Sequence, residues 1–153
     1  MPDINSVAAS IALSKRKQTL LDIRSPTEFN KGAFPNAINL PLLTDQERKD
    51  VGICYKKSGQ EAAILLGEKL VSGKIKIERM EKWCRTINTH PNTLLYCFRG
   101  GLRSKIVQSW LAAEGIEVPI VKGGYKSLRR FSLNTVEQAV NLKNFLVIGG
   151  KTG

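Results

Sequence analysis

Apolar positions along this chain switch between two spacings, and each switch marks an element. Val7, Ala8, Ile11 and Ala12 recur at helical spacing and predict a helix over 6–17, with Ser6 as its cap. Thr19-Leu20-Leu21-Asp22-Ile23 is a short apolar run ending in polar residues and Pro26, as in a buried strand leading to a loop. Residues 27–31 followed by Gly32 fit one helical turn with a glycine stop, and 37–40 before Pro41 read as a second strand. The middle is helical. Ser58 with Glu61 forms a capping box for a helix over 62–71, closed by Gly73. A second helix is expected over 74–89, with Ile75, Ile77, Met80, Trp83 and Ile87 as its apolar members. Residues 93–96 read as a buried strand and 103–114 as a helix with Ile106, Val107, Trp110 and Leu111 on one side. A last strand over 118–121 precedes the turn Lys122-Gly123-Gly124-Tyr125.

Strands alternating with helices imply an α/β fold, an open parallel sheet with helices on both faces. Ligands bind such sheets at the carboxyl ends of the strands, and Cys97 follows the strand over 93–96 directly. Asn144 to Gly153 reads as a strand entering a glycine-rich turn. Gly150 fits the first glycine of a P-loop, but the later Gly-Lys-Ser/Thr is absent, so the chain reads as cut off inside that loop. The expected division is one domain over 1–138, then a linker and the first strand of a truncated P-loop domain over 139–153.

Composition adds exclusions. A hydrophobic fraction of 42% and a charged fraction of 24% are ordinary for a globular protein. No apolar run approaches the ~20 residues that span a bilayer, and the N-terminus lacks a secretory layout, so a cytoplasmic protein is expected. Cys54, Cys84 and Cys97 are odd in number and form no C-x-x-C pair, and His90 is the single histidine. A disulfide framework and a metal site are therefore not expected, nor is a bound cofactor. The net charge of +11 favours a polyanionic partner, with plain solubility as the alternative. Basic residues are dense at Lys15-Arg16-Lys17, at Lys56-Lys57, and at Lys122, Lys126, Arg129 and Arg130.

The loop Cys97-Phe98-Arg99-Gly100-Gly101-Leu102-Arg103-Ser104 concentrates the chemistry. A cysteine between a strand and a helix N-terminus meets unpaired backbone N–H groups and the positive end of the macrodipole, about half an elementary charge. Converging amides form a nest for anions, and Arg99 and Arg103 add full positive charges. Such surroundings favour the thiolate. Gly100 and Gly101 allow the backbone to bend around the site. An inert buried cysteine is the commoner arrangement in general, but the two arginines and two glycines in the next six residues argue against it here. Cys97 is thus the candidate nucleophile, able to hold a persulfide or selenosulfide. The amides of Phe98, Arg99, Gly100, Gly101, Leu102 and Arg103 are its anion cradle, and Arg103 is placed to clamp a donor oxygen. Asp22 and Arg24, at another strand end, read as a pair that orders the loop. Cys54 and Cys84 read as packing residues, though Lys56 and Lys57 leave a relay role open at Cys54.

The segments 21–29 and 31–41, the Cys97 loop and Lys122-Gly123-Gly124-Tyr125 together resemble the rhodanese homology domain over about residues 10–135. Residues 54–63, 97–104 and the P-loop start at Gly150 are similar, more narrowly, to the tRNA 2-selenouridine synthase family. That resemblance implies replacement of sulfur by selenium in the wobble 2-thiouridine of tRNA. Selenophosphate is then the selenium donor and geranyl diphosphate a co-substrate, by way of a geranylated intermediate. The implied partners are tRNA and a C-terminal P-loop domain; Arg99 is placed to aid donor binding or to reach tRNA phosphates. Five residues separate Cys97 from Arg103, one more than the four usual in sulfurtransferases of this fold, and the wider ring suits a donor bearing phosphate. A generic thiosulfate-type sulfurtransferase, a cysteine-dependent phosphatase and a non-catalytic binding module for tRNA or a partner remain the alternatives.

Overall fold

Three pairs of adjacent apolar residues set the architecture. In an extended strand successive side chains leave opposite faces. Leu20, Leu94 and Val121 therefore pack on one side of a sheet, while Leu21, Leu95 and Ile120 pack on the other. The computed structural model describes residues 6–14 and 18–142. The expected strand from Asn144, the P-loop start at Gly150 and the Lys15-Arg16-Lys17 cluster lie outside the described residues.

Five parallel strands form the sheet: β1 (Ser6–Val7), β2 (Thr19–Asp22), β3 (Ala37–Asn39), β4 (Thr93–Tyr96) and β5 (Ile120–Val121). Their order is β1-β5-β4-β2-β3, with β4 in the centre. The register sets Leu20 against Leu94, Leu95 against Ile120, and Val7 against Val121. One face carries α1 (Ala9–Ser14) and α6 (Gly124–Leu142), which contribute Ala9, Ala12 and Leu128. The other carries α3 (Asp45–Leu70), α4 (Gly73–Thr89) and α5 (Leu102–Ala113), which contribute Val51 and Leu70, Trp83 and Ile87, and Val107 and Leu111 in turn. The short α2 (Pro26–Asn30) follows β2. The expected parallel sheet with helices on both faces is the observed fold.

Several local expectations differ. The single helix over 6–17 is instead a strand and then a short helix, because Val7 pairs with β5 and its carbonyl accepts the Lys122 N–H. The helix expected from a Ser58 cap is present as the second part of α3, after a break at Gly59 (φ 84°, ψ −175°), and α3 has an earlier part that was not expected. Its polar first half, 45–58, has no apolar period to reveal it. A cap marks its start instead: the Thr44 hydroxyl accepts the Glu47 N–H, and the Glu47 carboxylate accepts the Thr44 N–H. Arg79 then bridges from α4 to Glu47 and to the Leu42 carbonyl. In α4, Trp83 and Ile87 are buried with Met80 beside them, but Ile75 and Ile77 are exposed. Helix α6 was not foreseen beyond its opening turn. No helix among the described residues is long and apolar enough to cross a membrane.

Trp83 is wholly buried and its indole N–H donates to the Leu40 carbonyl at 2.9 Å, tying α4 to the end of β3. Trp83→Ala is expected to cost about 3–5 kcal/mol and lower the melting temperature by roughly 10 °C. Ile77→Ala should stay within about 0.5 kcal/mol. Urea unfolding of the two variants checks both.

Candidate functional site

Strand β4 is central, and the residue leaving its carboxyl end is Cys97, only 3% exposed. The chain then turns through Phe98, Arg99, Gly100 and Gly101 into α5, which opens with Leu102 and Arg103. Gly100 sits in the left-handed region at φ 63°, and a Cβ there would lie 2.7 Å from the Val121 carbonyl oxygen. The loop is held from below by the turn that begins α6. The Tyr125 N–H donates to the Cys97 carbonyl at 2.9 Å, and the Lys126 N–H to the Phe98 carbonyl at 3.0 Å. Gly124, at φ 55°, lets the two backbones meet; a Cβ there would collide with the Cys97 carbonyl. The Gly123-Gly124-Tyr125 turn, read from the sequence as a turn and as part of the family resemblance, is thus the seat of the Cys97 loop.

Sequence reasoning also missed Glu28. Its carboxylate takes both terminal nitrogens of Arg103, at 2.8 and 3.2 Å, together with Arg48 at 3.0 Å and the Ser25 N–H at 3.1 Å. Its signal in sequence was membership of the 21–29 segment, with nothing to connect it to residue 103. Burial alone would push the Glu28 carboxyl up, but Arg103 outweighs it and holds the group below the usual carboxylate range. Burial likewise opposes the Arg103 charge, and Glu28 prevails, followed by Cys97 and Asp22. The fork expected to clamp a donor therefore lies on Glu28.

Asp22 and Arg24 meet as expected. Arg24 Nη2 lies 2.6 Å from Asp22 Oδ2, Arg24 Nε reaches both carboxylate oxygens at 3.0 Å, and neither residue is more than 1% exposed. The Tyr96 hydroxyl donates to Asp22 at 2.6 Å, and Arg24 also donates to the Gly32 carbonyl at 2.9 Å. The guanidinium stacks 3.8 Å above the Tyr125 ring. Burial and the neighbouring Asp22 push the Tyr96 phenol far up, so it stays a hydrogen-bond donor. This cluster lies at the residue preceding Cys97.

Two grooves border the loop. One, about 320 Å³, is apolar and lined by Leu102, Arg103, Ile106 and Trp110 of α5 and by Ala63 and Ile64 of α3. The other, about 490 Å³, runs from Phe98 and Arg99 along α6 past Lys126, Arg129 and Arg130. Cys54 lies on α3 and Cys84 on α4, where burial and then Glu114 push the Cys84 thiol up. No cluster of His, Cys, Asp and Glu among the described residues has the make-up to hold a metal ion.

Comparison with known proteins adds a second line. A family model of the rhodanese-like domain matches residues 7–131. The chain is 58% identical over 134 residues to the tRNA 2-selenouridine synthase of Pseudomonas fluorescens, covering 88% of this chain and 37% of that protein. It is 53% identical over 134 residues to that of Shewanella frigidimarina, with the same coverage of 88% and 37%. Among solved structures it is similar to the N-terminal domain of a Clostridium difficile 630 protein thought to bind ATP or GTP. The TM-score is 0.76 at 34% identity, covering 84% of this chain and 98% of that one. The chain spans little more than a third of the length of the curated relatives it matches.

The Glu28 carboxyl is held down in the folded state, so its stabilising contribution is complete above the ordinary glutamate value near 4.5 and fades as the pH falls below it. Glu28→Gln should therefore be less stable than the parent at neutral pH and lose less on acidification. Urea midpoints between about pH 7 and about pH 3.5 test this. Parallel acid losses in the two proteins would mean that the pair contributes nothing.

Proposed function

The chain belongs to the rhodanese-like domain family, and from that premise we propose that it carries sulfur or selenium on Cys97 during conversion of the wobble 2-thiouridine of tRNA to 2-selenouridine. The observation that carries the reading is the position of Cys97: buried at the carboxyl end of the central strand, before the N-terminus of α5, with Arg103 of the first turn of α5 fixed by Glu28. The tRNA 2-selenouridine synthases at 53–58% identity supply the reaction class. Selenium or sulfur bound to Cys97 as a terminal anion gains from the loop amides and from Arg103. In the loading step the Cys97 thiolate attacks the outer sulfur of thiosulfate. The new S–S bond forms as the sulfur–sulfur bond of thiosulfate breaks, and sulfite departs with the bonding pair. Asp22 and Arg24 take no part in that step, since their charges are committed to each other and to Tyr96 and Gly32.

Selenophosphate is the proposed selenium donor, a reading that the spacing of five residues between Cys97 and Arg103 supports. Its selenium, at the selenide level, is delivered as a nucleophile to the geranylated base, where the C–Se bond forms as geranylthiolate leaves, and water takes the phosphoryl group as phosphate. Geranyl diphosphate is the proposed co-substrate. The apolar groove beside Arg103 supports it, since a hydrocarbon chain can leave water there while its diphosphate stays near the guanidinium. A C-terminal P-loop domain is the proposed intramolecular partner, in keeping with the greater length of the relatives.

Incubation with thiosulfate, followed by intact mass measurement, is expected to show a gain of one sulfur atom. Cys97→Ser should abolish it, while Cys54→Ser and Cys84→Ser should not. Phosphate release from phosphoesters without such a gain would instead favour a cysteine-dependent phosphatase, and neither outcome would leave a binding module. For the apolar groove, Ile64→Trp is expected to weaken geranyl diphosphate binding on the order of tenfold in calorimetry while leaving thiosulfate loading of Cys97 intact. Undiminished geranyl diphosphate binding would remove that groove from the scheme.

A further inference from the structure

Helix α6 places three cations on one face beside the reactive loop. Lys126, Arg129 and Arg130 are spaced i, i+3 and i+4, and all three are exposed. Arg99 joins them from the loop, so four positive side chains line one groove of about 490 Å³. Arg24, Arg48, Arg79 and Arg103 each pair with a carboxylate. The four groove cations form no ion pair among the described residues, and the only acid in the lining is Glu137. Unpaired cations crowded on one wall repel one another and gain when an anion sits between them.

The same groove contains flat rings. Phe98 stacks on Tyr125 with centroids 6.2 Å apart and planes at 30°, and the Arg99 guanidinium lies 5.9 Å from the Phe98 ring centre. Tyr125 is anchored beneath by Arg24, so the column rests on the buried ion pair. The groove is also fixed relative to the nucleophile, because the amides of Tyr125 and Lys126 bond the carbonyls of Cys97 and Phe98.

We propose that this groove docks single-stranded RNA, with phosphates on Arg99, Lys126, Arg129 and Arg130 and an unpaired base on the Phe98 ring, next to Cys97. The proposal rests on the reading of the protein as one that acts on tRNA, and it specifies the surface and the state of the RNA. Phosphates spaced along a strand match a row of cations. An unpaired base can stack on an aromatic ring, whereas a duplex keeps its bases covered. An acidic peptide would neutralise the cations but offers no planar base for Phe98, so RNA is the better match.

The test uses a labelled RNA stem-loop and the same stem as a blunt duplex, with binding followed by fluorescence anisotropy over a range of salt. Four contacts to a single strand predict a slope of log affinity against log salt of roughly −3 and a preference for the stem-loop. Arg129→Ala/Arg130→Ala should lose about half of that slope, and Arg129→Lys/Arg130→Lys should restore it. Thiosulfate loading of Cys97 should be unchanged in both double variants, which reports that the loop and fold are intact. An unchanged slope in the alanine variant, equal binding of the duplex, or equal competition by polyglutamate would overturn the proposal. The two readings fail separately: a parent protein that binds the stem-loop as described but never loads sulfur loses the transfer reading and keeps the docking surface. One that loads sulfur but binds no RNA loses only the surface.

Discussion

Two opposite charges, Asp22 and Arg24, are taken almost wholly out of water at the carboxyl edge of the sheet, and each has to be satisfied there. A buried pair seldom adds net stability over an apolar replacement, but once present it dictates where its hydrogen-bond partners must stand. Tyr96 from the end of β4, the Gly32 carbonyl after α2 and the Tyr125 ring from α6 all converge on it. Three segments distant in sequence are thereby fixed around the residue that precedes Cys97. A strand-end cysteine in a loop free to move would not present the same surroundings from one moment to the next.

The order of the strands carries that constraint into the site. β2 lies beside β4, so the loop after β2 lies beside the loop after β4. Glu28 can therefore reach Arg103, 75 residues further on, and fix its guanidinium in the first turn of α5. β5 flanks β4 on the other side, and the turn that follows it supplies the amides that hold the Cys97 and Phe98 carbonyls. The loop is thus gripped from both neighbouring strands. Its glycines are needed where the grip is closest, at Gly100 against the Val121 carbonyl and at Gly124 against Cys97.

Arginine has two uses in this molecule. Arg24 and Arg103 are enclosed and paired, and they organise the loop; Arg99, Arg129 and Arg130 are open to solvent beside it. The apolar groove at Leu102 and Arg103 and the basic groove at Phe98 and Arg99 start from different ends of one short loop. The two grooves share no lining residue, so ligands of different chemistry can occupy them side by side.

The fold class was legible because it depends on local alternation. The pairs Leu20 and Leu21, Leu94 and Leu95, and Ile120 and Val121 each demand apolar cover on both sides, and only a parallel sheet between helices provides it. The placing of the Cys97 loop between a strand and a helix was legible too, since a strand, a cysteine, glycines and arginines in immediate succession form a local pattern. What sequence could not show depends on contacts between distant residues. Val7 becomes a strand because β5 is there to pair with it, and polar 45–58 becomes a helix through its cap and Arg79. Glu28 and Gly124 enter the site because strand order brings them to it. By itself the sequence determined which residues have the chemistry; the tertiary structure decided which of them meet, because neighbours in a parallel sheet are set by crossovers that no local pattern records.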